Sequence, residues 1–188
     1  MSDRTPSGGG EPRRASLAVR LRELEVEIQR AQAELASLGG ETLPGLHLVV
    51  RAAGRRALIA STRVREVVRL VETRPMPGAP AHVLGTFLCR GLPVIAVHLG
   101  TALGGAQRAP ELDAQIAVLA GAPAVGLVVE RIEGLIDGPR LFDGERSSGT
   151  PESWRGSPLV AGLCVHDGEV LPLLDPAPLV AALRGTEP

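Results

Sequence analysis

The chain uses one element twice. The stretch FLCRGLPVIAV, Phe87 to Val97, places an arginine and a glycine in the middle of an apolar run, and CVHDGEVLPLL, Cys164 to Leu174, does the same with Asp167 and Gly168. A shift of 77 residues that superimposes Gly91 on Gly168 also superimposes Gly85 on Gly162, Phe87 on Cys164, Val94 on Leu171 and Val97 on Leu174. A charged residue followed by glycine does not suit the interior of a buried strand. It does suit a tight hairpin turn, where glycine supplies a positive φ and the charged side chain faces water. Each stretch therefore reads as a β-hairpin, with tips at Arg90-Gly91 and Asp167-Gly168.

The segments that precede the hairpins repeat as well. LHLVVRAAGRRALIAS, from Leu46, reads as strand, turn at Gly54 and strand, and TRVREVVRLV continues in residues that favour strands. AQIAVLAGAPAVGLVVERIEGLI restates that order, with Arg131 and Ile132 opposite Arg63 and Val64 at a shift of 68. RPMPGAPAHVLG is a proline-punctuated connection, and PRLFDGERSSGTPESWRGSP is a polar insertion in the second copy. Each copy, about 70 residues and roughly five strands, has close turns and no room for crossover helices. The expected fold is mainly β, as two small antiparallel barrels or one double barrel.

Two segments depart from this pattern. Residues 1–14 are rich in Gly, Pro, Ser and Arg and are expected to be disordered. Over 15–40 the period changes: Leu17, Leu21, Leu24, Ile28, Ala31, Leu35 and Leu38 recur at alternating steps of four and three, an apolar seam along an amphipathic helix that Gly39 and Gly40 would end. With Leu21 and Ile28 at a and Leu24 at d, Arg20 at g faces Glu25 at the following e across a parallel pair. Such a seam either packs on its own domain, frays, or joins two chains as a coiled coil. At the other end PAPLVAALR reads as a short helix.

Composition excludes several function classes. A chain of 188 residues with 44% hydrophobic content can bury an ordinary core, and a formal charge of −1 gives no basic field for nucleic acid or an anionic membrane. No apolar run approaches the length of a membrane span, and the N-terminus has no apolar signal core, so a cytoplasmic protein with reduced thiols at Cys89 and Cys164 is expected. His47, His82, His98 and His166 are scattered, with no metal-ligand spacing between them. HDGE at His166–Glu169 is explained by its turn. No acid–base pair, phosphate loop or aromatic platform is visible, so no catalytic residue, metal or cofactor is expected. Trp154, the single tryptophan, reads equally as a loop anchor or an exposed contact.

The order of these elements resembles the CheW family, the adaptor domain of bacterial chemosensory arrays, over about Leu46 to Arg184. VREVVRLVETRPMPGAPAHVLGTFLCRG carries the most specific part: RVREV is similar to the family's first-barrel strand, and CRG stands where the family has Asn-Leu-Arg-Gly. LVVERIEGLI and LVAGLCVHDGEVLPLLD resemble the second barrel. The resemblance implies two intertwined five-stranded SH3-like barrels over 44–184, the first at about 44–105 and the second at about 112–180, sharing strands. It implies a non-catalytic signalling scaffold that couples the cytoplasmic tip of a chemoreceptor to the regulatory domain of a CheA-type histidine kinase. Receptor would lie in the groove between barrels against Val64, Glu66 and Val67, with Arg90 and Gly91 at its rim, and kinase would dock at barrel ends. No receiver or kinase sequence is attached. Two departures bear on this coupling: Leu88 replaces the family's asparagine, and His98 replaces an acidic residue, although Asp175 keeps it in the second copy. Three classes of function follow: an adaptor joining receptor and kinase, a divergent interaction protein joining one partner and dimerising through its N-terminal helix, and, least supported, an enzyme or ligand-binding barrel.

Overall fold

The structure, a computed structural model, describes residues 11–37, 39–142 and 150–184. Helix α1 spans Glu11–Ser37. It is followed by strands β1 (Gly39–Thr42), β2 (Leu46–Ala52), β3 (Arg55–Ala60), β4 (Val64–Arg69), β5 (Val83–Cys89) and β6 (Leu92–His98) and by the one-turn helix α2 (Leu99–Ala102). The second half holds β7 (Gln115–Leu119), β8 (Val125–Val129), β9 (Arg131–Asp137), β10 (Arg140–Phe142), β11 (Val160–His166), β12 (Glu169–Leu174) and helix α3 (Ala177–Arg184). The chain is mainly β, as its repeat implied.

The repeat shift is reproduced in the pairing. In the first hairpin Val83 faces Val97, Gly85 faces Ala96, Phe87 faces Val94 and Cys89 faces Leu92; in the second Val160 faces Leu174, Gly162 faces Leu173, Cys164 faces Leu171 and His166 faces Glu169. Every pair moves by the same 77 residues, including a bulge before each of Gly85 and Gly162. Both tips have the two positive φ values that their turn requires, 50° and 80° at Arg90 and Gly91 and 48° and 72° at Asp167 and Gly168.

The strands form a seven-stranded sheet, β1-β10-β11-β12-β3-β2-β9, and a five-stranded sheet, β4-β7-β8-β6-β5. Neither is a contiguous half. β2 and β3, placed by the sequence in the first barrel, lie beside β9 and β12, while β7 and β8 lie beside β4 and β6. The cause is reciprocal pairing: β2 runs antiparallel to β9, and β7 runs antiparallel to β4, through matching registers such as Val50 with Ile132 and Leu119 with Val64. Boundaries at 44–105 and 112–180 therefore describe the repeat, and strand exchange redistributes it into two intertwined barrels.

Exchange explains why LVV in β2 and IAVL in β7 are apolar without alternation. One face of β2 (Leu48, Val50, Ala52) and one of β7 (Ala117, Leu119) meet in a core shared by both sheets, with Ile59, Val97, Leu127, Leu174, Leu179 and Leu183. The opposite face of β7 (Ile116, Val118) joins Phe87, Cys89 and Val94 in the five-stranded barrel, and Val49 of β2 joins Leu58, Cys164 and Leu171 in the other. A strand buried on both faces reads as a continuous apolar run.

Three sequence expectations change. Residues 11–14, expected to be disordered, begin α1, and the disorder expected of residues 1–10 concerns a segment outside the described residues. Gly39 and Gly40 do not belong to the helix; they start β1, whose pairing with β10 continues the larger sheet. The insertion is polar in composition, yet it supplies β10 and, at Trp154, a fully buried anchor in the shared core. Its residues 143–149 lie outside the described residues.

Candidate functional site: the first hairpin tip

The five-stranded sheet has β4 and β5 at its two ends, and it curls far enough for the tip after β5 to reach β4. Arg90, on the tip after β5, donates from Nε to Oε2 of Glu66 on β4 at 2.7 Å, and Arg65 Nε donates to the other carboxylate oxygen at 3.2 Å. Hydrogen bonding from Arg90 holds the Glu66 carboxyl below its ordinary value, more than its partial burial raises it. Glu66 is mostly covered, at 16% side-chain exposure, whereas Arg90 is 80% exposed, so the carboxylate fixes an arginine whose remaining donors face solvent.

Apolar side chains surround this pair. Leu88 is 72% exposed, Leu92 54% and Val67 43%, and Pro93, cross-strand partner of Leu88, is exposed too. Along β4 exposure alternates: Arg65, Val67 and Arg69 face outward, while Val64 and Val68 pack against the cores. Of the residues that the sequence singled out, Arg90 and Val67 are on the surface, Glu66 lies beneath the tip, Gly91 serves the turn, and Val64 is partly buried against the shared core. Exchange puts Val64 opposite Leu119, which explains its position. Leu88 and Leu92 are exposed apolar residues beside the tip that sequence reasoning did not single out as candidate contacts. The signal was present: two leucines flanking a charged turn within strands of alternating exposure.

The second tip differs. β10 lies against β11 with Arg140 opposite Val165, the counterpart of Leu88, and Val165 is buried. On the outer side of β5 the described residues provide the bridge between Arg74 and Thr86 and a hydrogen bond from the Thr73 hydroxyl to Leu84 O, and no further strand. Near the second tip the charges satisfy one another, Glu133 taking Arg51 at 2.5 Å and Arg56 at 2.8 Å, and Arg56 also reaching Glu169.

The His98 substitution has a structural account. His98 Nδ1 accepts from the backbone N–H of Thr101 at 3.2 Å and caps α2, and Asp175, its counterpart, accepts from the N–H of Ala177 at 3.1 Å at the start of α3. Both side chains perform the same capping task, which an acidic residue or a neutral imidazole can fill. Cys164 is enclosed, and burial pushes its thiol up to about 11, which disfavours the reactive thiolate. Among the described residues no group of three His, Cys, Asp or Glu could hold a metal ion, and no helix is long and apolar enough to cross a membrane.

Two barrels that exchange strands, closed at one end by an arginine–glutamate pair beside exposed leucines, define a double-barrel β-domain with a surface suited to binding and no assembled reaction centre among the described residues. Residues 46–184 match the CheW-like domain, and the chain belongs to that family. A similar solved structure is the scaffolding protein TtCheW from Thermoanaerobacter tengcongensis, at 20% sequence identity and a TM-score of 0.57, covering 71% of this chain and 85% of that one. No curated protein matches the chain in sequence.

Proposed function

We propose that the chain is a non-catalytic chemotaxis adaptor that couples a chemoreceptor to a CheA-type histidine kinase, with the first hairpin tip as a partner surface. The observation that carries this reading is the tip itself: in a CheW-like domain, Leu88, Leu92 and Val67 are exposed around an Arg90 that Glu66 holds in place. A fixed guanidinium with free donors, set among apolar side chains, suits an amphipathic receptor helix. Arginine is enriched among the residues that dominate interface energetics, and apolar neighbours such as these leucines exclude water around it. A narrower reading, binding of one partner only, is favoured by Leu88, which gives this surface an apolar residue where the resemblance implies asparagine.

Calorimetry with a receptor-tip peptide bundle and, separately, a kinase regulatory domain tests both readings. Leu88→Asp and Arg90→Glu should each weaken binding by tenfold or more. Leu88→Asp should leave the melting temperature nearly unchanged because the side chain is on the surface, whereas Arg90→Glu should lower it modestly because it breaks the pair with Glu66 and opposes a like charge to it. Binding of both partners supports the adaptor, and binding of one supports the narrower reading. Undiminished binding in both variants refutes the assignment of this surface.

A further inference from the structure

We infer that α1 pairs with the α1 of a second copy in a parallel two-stranded coiled coil, making the protein a dimer tethered at its N-terminal helices. α1 is a single helix of 27 residues, about 40 Å long at 1.5 Å per residue. Leu17, Leu21, Leu24 and Ile28 lie on one seam, and each is between 48% and 67% exposed. These four side chains are therefore not buried by the chain's own barrels, although the helix does approach β11 and β12. A helix without tertiary cover gains little from propensity alone, and most helical stability comes from burying an apolar face. The seam's steps of four and three match the knobs of a left-handed coiled coil and leave Val19 and Val26 on the outer side of the pair.

Charge selects the partner and its direction. In a parallel pair in register, Arg20 at g meets Glu25 of the other copy at e, twice by symmetry, while Glu27 meets the neutral Gln32 and no like charges are opposed. The antiparallel arrangement with the longest overlap of the seam sets Glu27 against Glu27 and Glu25 against Glu25 of the other copy. Self-pairing in parallel is therefore matched, and the longest antiparallel overlap is repelled. The break at Gly39 and the pairing of β1 with β10 then place both double barrels at the same end of the coil. Dimerisation rests on α1 alone and stands or falls independently of the partners assigned to the hairpin tip.

Light scattering on the full chain tests this. The expected mass is twice the 19.6 kDa of one chain, and Leu21→Asp with Ile28→Asp should give a monomer whose barrels melt as before. Arg20→Glu and Glu25→Arg each oppose like charges across the pair and should each weaken self-association severalfold, by about three- to tenfold over the two symmetric pairs. Mixed together, those two variants restore both attractions, so they should form a heterodimer as tight as the unaltered protein. Three results would each overturn the inference: a monomeric full chain, a dimer that survives Leu21→Asp with Ile28→Asp, or single-charge variants that associate as well alone as when mixed.

Discussion

Gly85 and Gly162 occupy the same place in the two hairpins, but their surroundings differ, which makes them an internal control. Gly85 has φ of 133°, a region open essentially to glycine, and a Cβ added there would strike the Arg74 carbonyl, whose carbon would be 2.7 Å away. That carbonyl accepts from Thr86 N–H at 2.8 Å, and Arg74 N–H donates to Thr86 O at 2.7 Å. Gly85→Ala must therefore strain the backbone by about 1–3 kcal/mol and also displace Arg74, at the expense of hydrogen bonds of about 1 kcal/mol each. A loss of about 3 kcal/mol lowers the melting temperature of a chain this size by roughly 6–12 °C. Gly162 has no described atom within 4 Å of such a Cβ and no left-handed φ, so Gly162→Ala should fall within about 0.5 kcal/mol of the parent. Paired thermal and urea melts measure both. Equal losses in the two variants, or no loss at Gly85, would refute the local clash as the reason for glycine.

Two further predictions concern the core and the cap. Trp154→Ala should cost about 3–5 kcal/mol in urea unfolding because a fully buried indole in the shared core leaves a cavity, and a loss below 1 kcal/mol would place Trp154 outside the cooperative unit. Burial lowers the pKa of His98, with a smaller opposing pull from Glu130, so its neutral form is favoured in the fold. The folded value lies below the unfolded value near 6.5, so this contribution is complete above that pH and is lost as pH falls through the folded value. His98→Asn keeps a capping oxygen without titrating, and its melting temperature should fall less than the parent's between neutral pH and mild acid. His82, also lowered by burial, keeps its own share in both proteins. Parallel curves for the two proteins would dismiss the His98 assignment.

The internal repeat made most of the fold legible, because register in a hairpin follows from turn position and apolar alternation, both local in sequence. Phe87 with Cys164 and Val94 with Leu171 could be superimposed before any pairing was known. Strand exchange was not legible in that way. Whether Val50 faces Ile132 or a strand of its own half depends on long-range closure, and the repeat gives both halves nearly equivalent apolar edges. Val64 illustrates this: alternation shows that β4 has a more buried and a more exposed face, and the structure puts Val64, partly buried, on the side packed against the shared core. At the site, Arg90 was found from its turn, whereas its bond to Glu66 was not, since 24 residues separate them and curling of the sheet brings them together. Trp154 shows the converse case, a polar segment whose single large residue is held by tertiary packing.

Near-symmetry with one broken edge bears directly on the proposed role. An adaptor that joins two unlike proteins needs two unlike surfaces, and a perfect repeat would offer the same surface twice. Here the departure is physical: β10, itself paired with β1, covers the strand edge at Val165, while the matching position, Leu88, stays open. Charge follows the same division, with Arg90 exposed at one tip and Asp167 at the other. Covering one edge also limits strand-to-strand association, a hazard of any open sheet edge, and leaves that liability at one place where a partner could occupy it. β1, which pairs with the far edge of the covering strand β10, follows α1 in the chain, so the segment that backs the covered edge adjoins the helix that would tether two copies. Displacing β1 should therefore uncover the β10 edge and loosen the base of α1 together, coupling the helix to the second barrel and leaving the first tip unaffected.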